Sequence, residues 1–155
     1  MAVSIGGRAV AVSLPGSQES GSAIAYCMAS RFEDLVVWQR ARKMCSEILP
    51  ILDAAARRRD FRLAQELNEC ALSVPANIAE GKLRRGNRQF AYFLRIAAGS
   101  NGEVRSWLHL AADRSYVSAD RAAALIEETN ETGKMLESLI RRVSLDDEEP
   151  PDDAT

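Results

Sequence analysis

The sequence predicts an all-α fold, an antiparallel up-down-up-down four-helix bundle, on three observations. Apolar residues recur at three- and four-residue spacing along four long segments, as one face of a helix requires. Capping residues and helix breakers punctuate the gaps between those segments. Strand-like alternation never persists beyond a few residues. Four amphipathic helices joined by short loops bury their stripes by packing side by side in alternating directions.

The bundle is expected over residues 30–143. It opens on "SRFE", a capping box in which Ser30 and Glu33 each satisfy a free amide at the helix start. Phe32, Leu35, Trp38, Ala41, Cys45, Ile48 and Leu52 supply the first stripe, to about Ala56, with Pro50 expected to bend or shorten the helix. The second helix begins near Asp60. Its stripe of Leu63, Leu67, Cys70, Val74 and Ile78 stays in phase through Pro75, which predicts a kink at Pro75 instead of an end. Gly81 reads as the left-handed residue that closes it, leaving "KLRRGN" as loop.

Asn87 reads as the cap of the third helix, whose stripe is Phe90, Leu94, Ala97, Val104, Leu108 and Ala111. Gly99 and Gly102 in its middle each cost about 1 kcal/mol against Ala. Close approach of a neighbouring helix backbone is the expected compensation. The fourth helix runs from Ser118 as cap to Val143, with Ala122, Leu125, Ile126, Thr129, Leu136, Leu139 and Val143 facing inward.

The ends differ from this core. Residues 1–29 are expected to be a disordered leader, or the product of a start codon placed too early, with Met28 as the alternative start. Ser13 and Pro15 interrupt the one apolar run that resembles a signal peptide. Residues 144–155, "SLDDEEPPDDAT", hold six acids and no base. Such an acidic, disordered tail serves either as a solvated end or as a cover over a basic surface.

Net charge is −2, yet residues 29–143 carry 19 Lys or Arg against 15 Asp or Glu, so the tail sets the overall sign. No apolar run approaches the roughly 20 residues of a membrane span, so no membrane partner is expected. Three cysteines without Cys-x-x-Cys spacing fit reduced thiols and a cytoplasmic location.

The basic material lies in two clusters. Arg57, Arg58, Arg59 and Arg62 fall at the first turn, and Lys82, Arg84, Arg85 and Arg88 between the second and third helices. In an up-down bundle these turns sit at opposite ends, about 30–40 Å apart. Each cluster reads either as solvated loop or as a contact for phosphates in RNA or DNA. The aromatic residues Trp38, Phe90, Tyr92, Phe93 and Trp107 are expected mostly in helical stripes or subunit interfaces, so base stacking is not expected.

Catalysis finds little support. His109 is the only histidine, and Ser106, not a glutamate, stands three residues before it, which removes the bundle di-metal motif. Ser73 and Ser100 have no companion histidine, and "GKLRRG" lacks the phosphate-loop spacing. No metal and no cofactor are expected. Asn77 and Glu80 read as partners for backbone groups near Pro75, or for an arginine across helices.

Three stretches carry a resemblance: "FEDLVVWQRA", "SVPANIAEG" and "FLRIAAGSNGE". Together they are similar to the small bacterial four-helix proteins of the 23S rRNA intervening-sequence type, over roughly Arg31 to Val143. That resemblance implies a homo-oligomer, a ring-shaped pentamer, generally without enzyme activity. It also implies kinship with the nucleic-acid-binding accessory proteins of diversity-generating retroelements, which partner a reverse transcriptase. Asn77, Glu80 and Gly81 match the signature of the second helix, and Gly99, Ser100 and Glu103 that of the third. Glu66, Ala56 and Asn101 depart from it, standing where Gln, Pro and an apolar residue are usual.

In a ring each basic cluster would repeat as a circle of charge. The expectation is therefore a non-enzymatic, oligomeric nucleic-acid binder, accessory to an RNA or reverse-transcription system. A scaffold binding a protein partner is the alternative, and an enzyme using Glu80 ranks last.

Overall fold

The computed structural model describes residues 31–84 and 86–145. The leader, Ser30 of the expected capping box, Arg85 and the acidic segment from Asp146 lie outside the described residues. A 3-10 turn, Phe32–Asp34, leads into α1 (Val36–Glu47), α2 (Leu49–Arg57), α3 (Phe61–Leu83), α4 (Asn87–Asp113) and α5 (Ala119–Leu145). The described residues contain no strand.

With α1 and α2 end to end, the molecule is a four-helix bundle. Pairs across α3 and α4 fall along one helix as they rise along the other: Gly81 faces Phe90 and Phe93, Ser73 meets Ser100, and Asp60, just before α3, meets Arg114 and Tyr116 just beyond α4. Across α4 and α5, Arg95 meets Ser144 and Asn101 meets Thr129. This descending pairing is the antiparallel course.

The first rod departs from expectation at its start and in its buried face, while Pro50 interrupts it where a bend or shortening was expected. Glu33 pairs with Arg31 at 2.7 Å inside the 3-10 turn, and α-helix begins only at Val36. Pro50 breaks the rod at Ile48, because α2 takes the proline into its first turn, where its missing N–H is not required. The buried face is Val37, Ala41, Met44, Ile48, Ile51 and Ala55, while Trp38, Cys45 and Leu52 are only half-buried. The expected stripe was rotated toward one edge of the true one.

Further along, α3 begins as expected, with the Asp60 carboxylate accepting from Leu63 N at 3.3 Å. It continues through Pro75 with Val74 and Ile78 both buried, and a thiol from α1 covers the carbonyl that the proline frees. Gly81 does not end α3. It lies inside the helix, where an added Cβ would stand 2.7 Å from Phe93 Cβ, so it is a packing glycine. The left-handed glycine is Gly86 (φ 103°), and Gly86, not Asn87, occupies the position before α4. Ser118 caps α5, accepting from Arg121 N at 3.3 Å. The last helix runs two residues past the expected limit, to Leu145.

The stripes of α3 and α4 are buried as predicted, and they join two apolar clusters. One, around Val37, Ile78, Phe90, Leu94 and Leu136, fills the half nearest the α3–α4 loop. The other, around Ile48, Leu63, Leu67, Leu108 and Leu125, fills the half nearest the α2–α3 and α4–α5 turns. A polar layer of Asn101, Thr129 and Thr132 is buried as well. Asn101 Nδ2 donates to the Thr129 carbonyl at 2.8 Å, and Gly133 leaves the room that its amide occupies.

Candidate nucleic-acid interface

The two arginine clusters sit at opposite ends of α3, whose 23 residues span about 35 Å at 1.5 Å each. They therefore make two separate surfaces, and the structure gives them different characters.

At the α2–α3 end Arg58 and Arg114 are occupied with holding the turns. Residues 58–60 and 114–116 close their helices in the same way. Asp60 N reaches Ala55 O and Tyr116 N reaches Ala111 O, each at 2.9 Å, with Arg59 (φ 62°) and Ser115 (φ 57°) left-handed. Arg58 Nη1 bridges the two turns, donating to Arg114 O at 2.7 Å with its guanidinium 4.7 Å from the centre of the Tyr116 ring. Asp60 is the hub: it accepts from Arg114 and, at 2.9 Å, from the Tyr116 hydroxyl.

The Arg114 guanidinium, helped by Tyr116 and Leu63 N, holds the Asp60 carboxyl below the usual carboxylate range. Desolvation, and then the bond to Asp60, pushes Tyr116 up. Arg62 pairs with Glu66 at 3.2 Å, while Arg57 and Arg59 are exposed. Residues 53–66 and 109–121 hold six Lys or Arg and five Asp or Glu, so this end is close to neutral.

The α3–α4 end is different. Lys82 lies 5.6 Å from the Phe90 ring centre. Arg84 grips Glu80 Oε1 through Nη2 (2.7 Å) and Nε (3.1 Å) and stands 5.0 Å from the Phe93 ring centre. Arg88 is exposed, and Arg85 lies outside the described residues. Here the fold adds cations that the sequence reading missed. Arg95 Nη2 approaches Ser144 Oγ at 3.4 Å, which places the end of α5, with exposed Arg141 and Arg142, beside the same loop. Residues 31–34, 80–95 and 137–145 hold eight Lys or Arg against four Asp or Glu. The missed residues look unremarkable one by one; the signal was the antiparallel course, which returns α5 to this end.

The signature residues separate into two groups. Asn77 Nδ2 donates to Ser73 O (2.8 Å) and Ser73 Oγ (2.9 Å), and Ser73 Oγ lies 2.9 Å from Ser100 Oγ. This chain ties α3 to α4 at mid-height, and Gly81 lets the two helices meet at the Phe90–Phe93 turn. Asn77 thus serves a backbone carbonyl near Pro75, as expected. Glu80 pairs within its own helix and not across helices. Gly99 is exposed with nothing among the described residues within 4 Å of a would-be Cβ, and Gly102 likewise meets nothing there, so none of the described helices approaches either closely. That overturns the expected compensation for their cost. Glu103 and His109 are exposed.

The described residues also bear on other kinds of chemistry. They contain no group of three His, Cys, Asp or Glu placed to hold a metal ion. A small cavity between Met44, Val74, Asn101, Val104 and Thr132 is water-sized. Burial pushes the Cys45 thiol up, and burial with the nearby Glu103 charge pushes Cys70 up to about 12, which disfavours the thiolate needed for nucleophilic work. No described helix is long and apolar enough to cross a membrane.

Comparison with known proteins follows the same outline. The model of the family described as 23S rRNA-intervening sequence protein matches residues 33–138. No curated protein matches. Among solved structures, a protein of unknown function from the S23 ribosomal protein family of Bacteroides thetaiotaomicron superposes with a TM-score of 0.64 at 21% identity. The match covers 68% of this chain and 99% of that one, and at this identity it speaks to fold.

Proposed function

This chain belongs to the 23S rRNA-intervening sequence protein family, and from that premise we propose that it is a non-enzymatic homo-oligomer that binds nucleic acid through phosphate contacts. The observation that carries the reading is the gathering of cations from α3, α4 and α5 at one end of the bundle, an excess of four over the acids there. A phosphate backbone responds to such a patch without any reading of bases. Lys82, Arg84 and Arg88 form its centre, with Arg85 next to them in sequence and outside the described residues; Arg57, Arg58, Arg59 and Arg62 form a weaker surface at the other end.

Support for assembly comes from the outer face of α4. Tyr92, Ile96 and Leu110 are exposed there, with Gly99 opening a flat place among them. A glycine that costs helix stability and meets nothing among the described residues fits a close approach from a second chain. A pentameric ring would repeat the basic end five times, and an RNA or reverse-transcription system supplies the phosphate-rich partner. The exposed Phe61, Leu72 and Leu83 of α3 favour, as a second reading, a scaffold that docks a protein.

The test is fluorescence anisotropy with a mixed-sequence RNA duplex and a DNA duplex between 50 and 200 mM salt. Affinity is expected to fall steeply with salt, and Arg88→Glu or Arg141→Glu is expected to flatten the log–log slope by about one per lost contact. Binding that stays undetectable at low salt, even with the acidic segment neutralised, removes the reading. A nuclease-insensitive protein partner would put the scaffold in its place.

A further inference from the structure

We infer that the acidic segment Asp146–Asp153 docks on the basic α3–α4 end of its own bundle and competes there with phosphate ligands. The inference deepens the nucleic-acid reading and rests on it for the competition, though not for the docking. Three observations carry it.

The first is position. The described part of α5 stops at Leu145, and Ser144 lies against Arg95 on α4, so the segment that follows leaves the bundle beside Arg141, Arg142 and the α3–α4 loop. It does not leave from the nearly neutral end about 35 Å away.

The second is charge. The end carries four more cations than acids, and the segment carries six carboxylates and no base. Covering one with the other removes most of the local field.

The third is reach. Eight residues from Asp146 to Asp153 span up to roughly 26 Å when extended. Neighbouring helix axes lie about 8–10 Å apart, so even the diagonal of the bundle is about 14 Å. The segment is long enough to cross from α5 to the Lys82–Arg88 loop. Tethering also holds its carboxylates there at an effective concentration of the order of millimolar.

The chain itself offers a direct probe. It has three lysines, Lys43, Lys82 and Lys134, and only Lys82 lies at the basic end. Carbodiimide treatment of the full chain at low salt, followed by peptide mass spectrometry, is expected to join a carboxylate of residues 146–153 to Lys82. Coupling to Lys43 and Lys134 is expected to be absent, and the Lys82 product should vanish at about 0.5 M salt, where the Debye length is only a few Å. No Lys82 product, or equal coupling to all three lysines, overturns the docking.

In the second arm the six acids are changed to Asn or Gln within the full-length chain. Affinity for the RNA duplex at low salt is expected to rise by roughly tenfold. Unchanged affinity in a variant that does bind RNA overturns the competition. If neither the native chain nor the variant binds nucleic acid, the proposed function falls and the lysine coupling alone decides the docking.

Discussion

The Cys45 Sγ of α1 lies 3.3 Å from the Ala71 carbonyl of α3, the one acceptor that Pro75, four residues later, leaves without a backbone donor. The same sulfur lies 3.3 Å from Ala41 O in its own helix. A thiol is a weak donor, but it is small and apolar enough to sit at the α1–α3 contact while facing the freed oxygen. At Pro50 the rod breaks into two helices, whereas α3 runs on.

This pairing predicts a thermodynamic coupling. Cys45→Ala should destabilise the protein by about 1–2 kcal/mol, through a half-satisfied carbonyl and a small lost contact. Cys45→Ser should cost less. Pro75→Ala restores the N–H, so the Cys45→Ala penalty should shrink in that background. Urea denaturation of the four variants of the cycle measures it, and strict additivity would deny the relationship.

Thiol reactivity follows from the same burial. Cys70, pushed up to about 12, and Cys45, raised in the same direction, are overwhelmingly protonated at pH 8. Iodoacetamide should therefore label both slowly in the native protein and rapidly in denaturant. Site-resolved mass spectrometry is the check; fast native labelling of Cys70 would contradict the packing.

Two signature glycines should respond in opposite directions. Gly81→Ala drives a methyl into Phe93 and Phe90 and is expected to cost about 1–3 kcal/mol. Gly99→Ala meets nothing among the described residues and should stabilise the helix by up to about 1 kcal/mol. If the outer face of α4 joins subunits, the same Gly99→Ala change, and Ile96→Asp more strongly, should lower the mass seen by light scattering.

Asp60 gives the fold a pH dependence of known sign. Its carboxyl titrates lower in the folded chain than its unfolded value of about 3.9. The stability it contributes is present in full above that value and is lost as pH falls through the folded pKa. Asp60→Asn should therefore lower the melting temperature at pH 7, with the gap from the native chain narrowing as pH falls below about 3.9. A constant gap would mean that the charge on Asp60 is irrelevant.

Local pattern made some of this legible. Leu63, Leu67, Val74 and Ile78 all point inward because α3 carries a single apolar stripe, and one stripe has one reading. The first rod carries two adjacent stripes, Val37–Met44–Ile51 and Trp38–Cys45–Leu52, and only packing against α3 and α5 selects between them. Gly81 was misread because a glycine near a helix end looks the same whether it turns the chain or admits Phe93 from across the loop. The Asp60–Arg114–Tyr116 hub joins residues more than 50 positions apart, and no spacing rule announces it. Arg141 and Arg142 lie more than 50 positions from the Lys82–Arg88 cluster, and only the predicted antiparallel course, not any local pattern, brings them to the basic end.

The buried amide of Asn101 has a consequence for how narrowly the fold is specified. Leu, Ala and Val surfaces are forgiving, and α5 sliding past α4 by one turn, about 5.4 Å, would bring similar hydrocarbon together again. Such a slip would carry Gly133 away and set a residue with a Cβ against the Asn101 amide, closing the space through which that amide reaches the Thr129 carbonyl and leaving a buried NH₂ short of its acceptor, at about 1–3 kcal/mol. One side chain thus works as a detent, penalising misaligned alternatives that greasy contacts alone would tolerate.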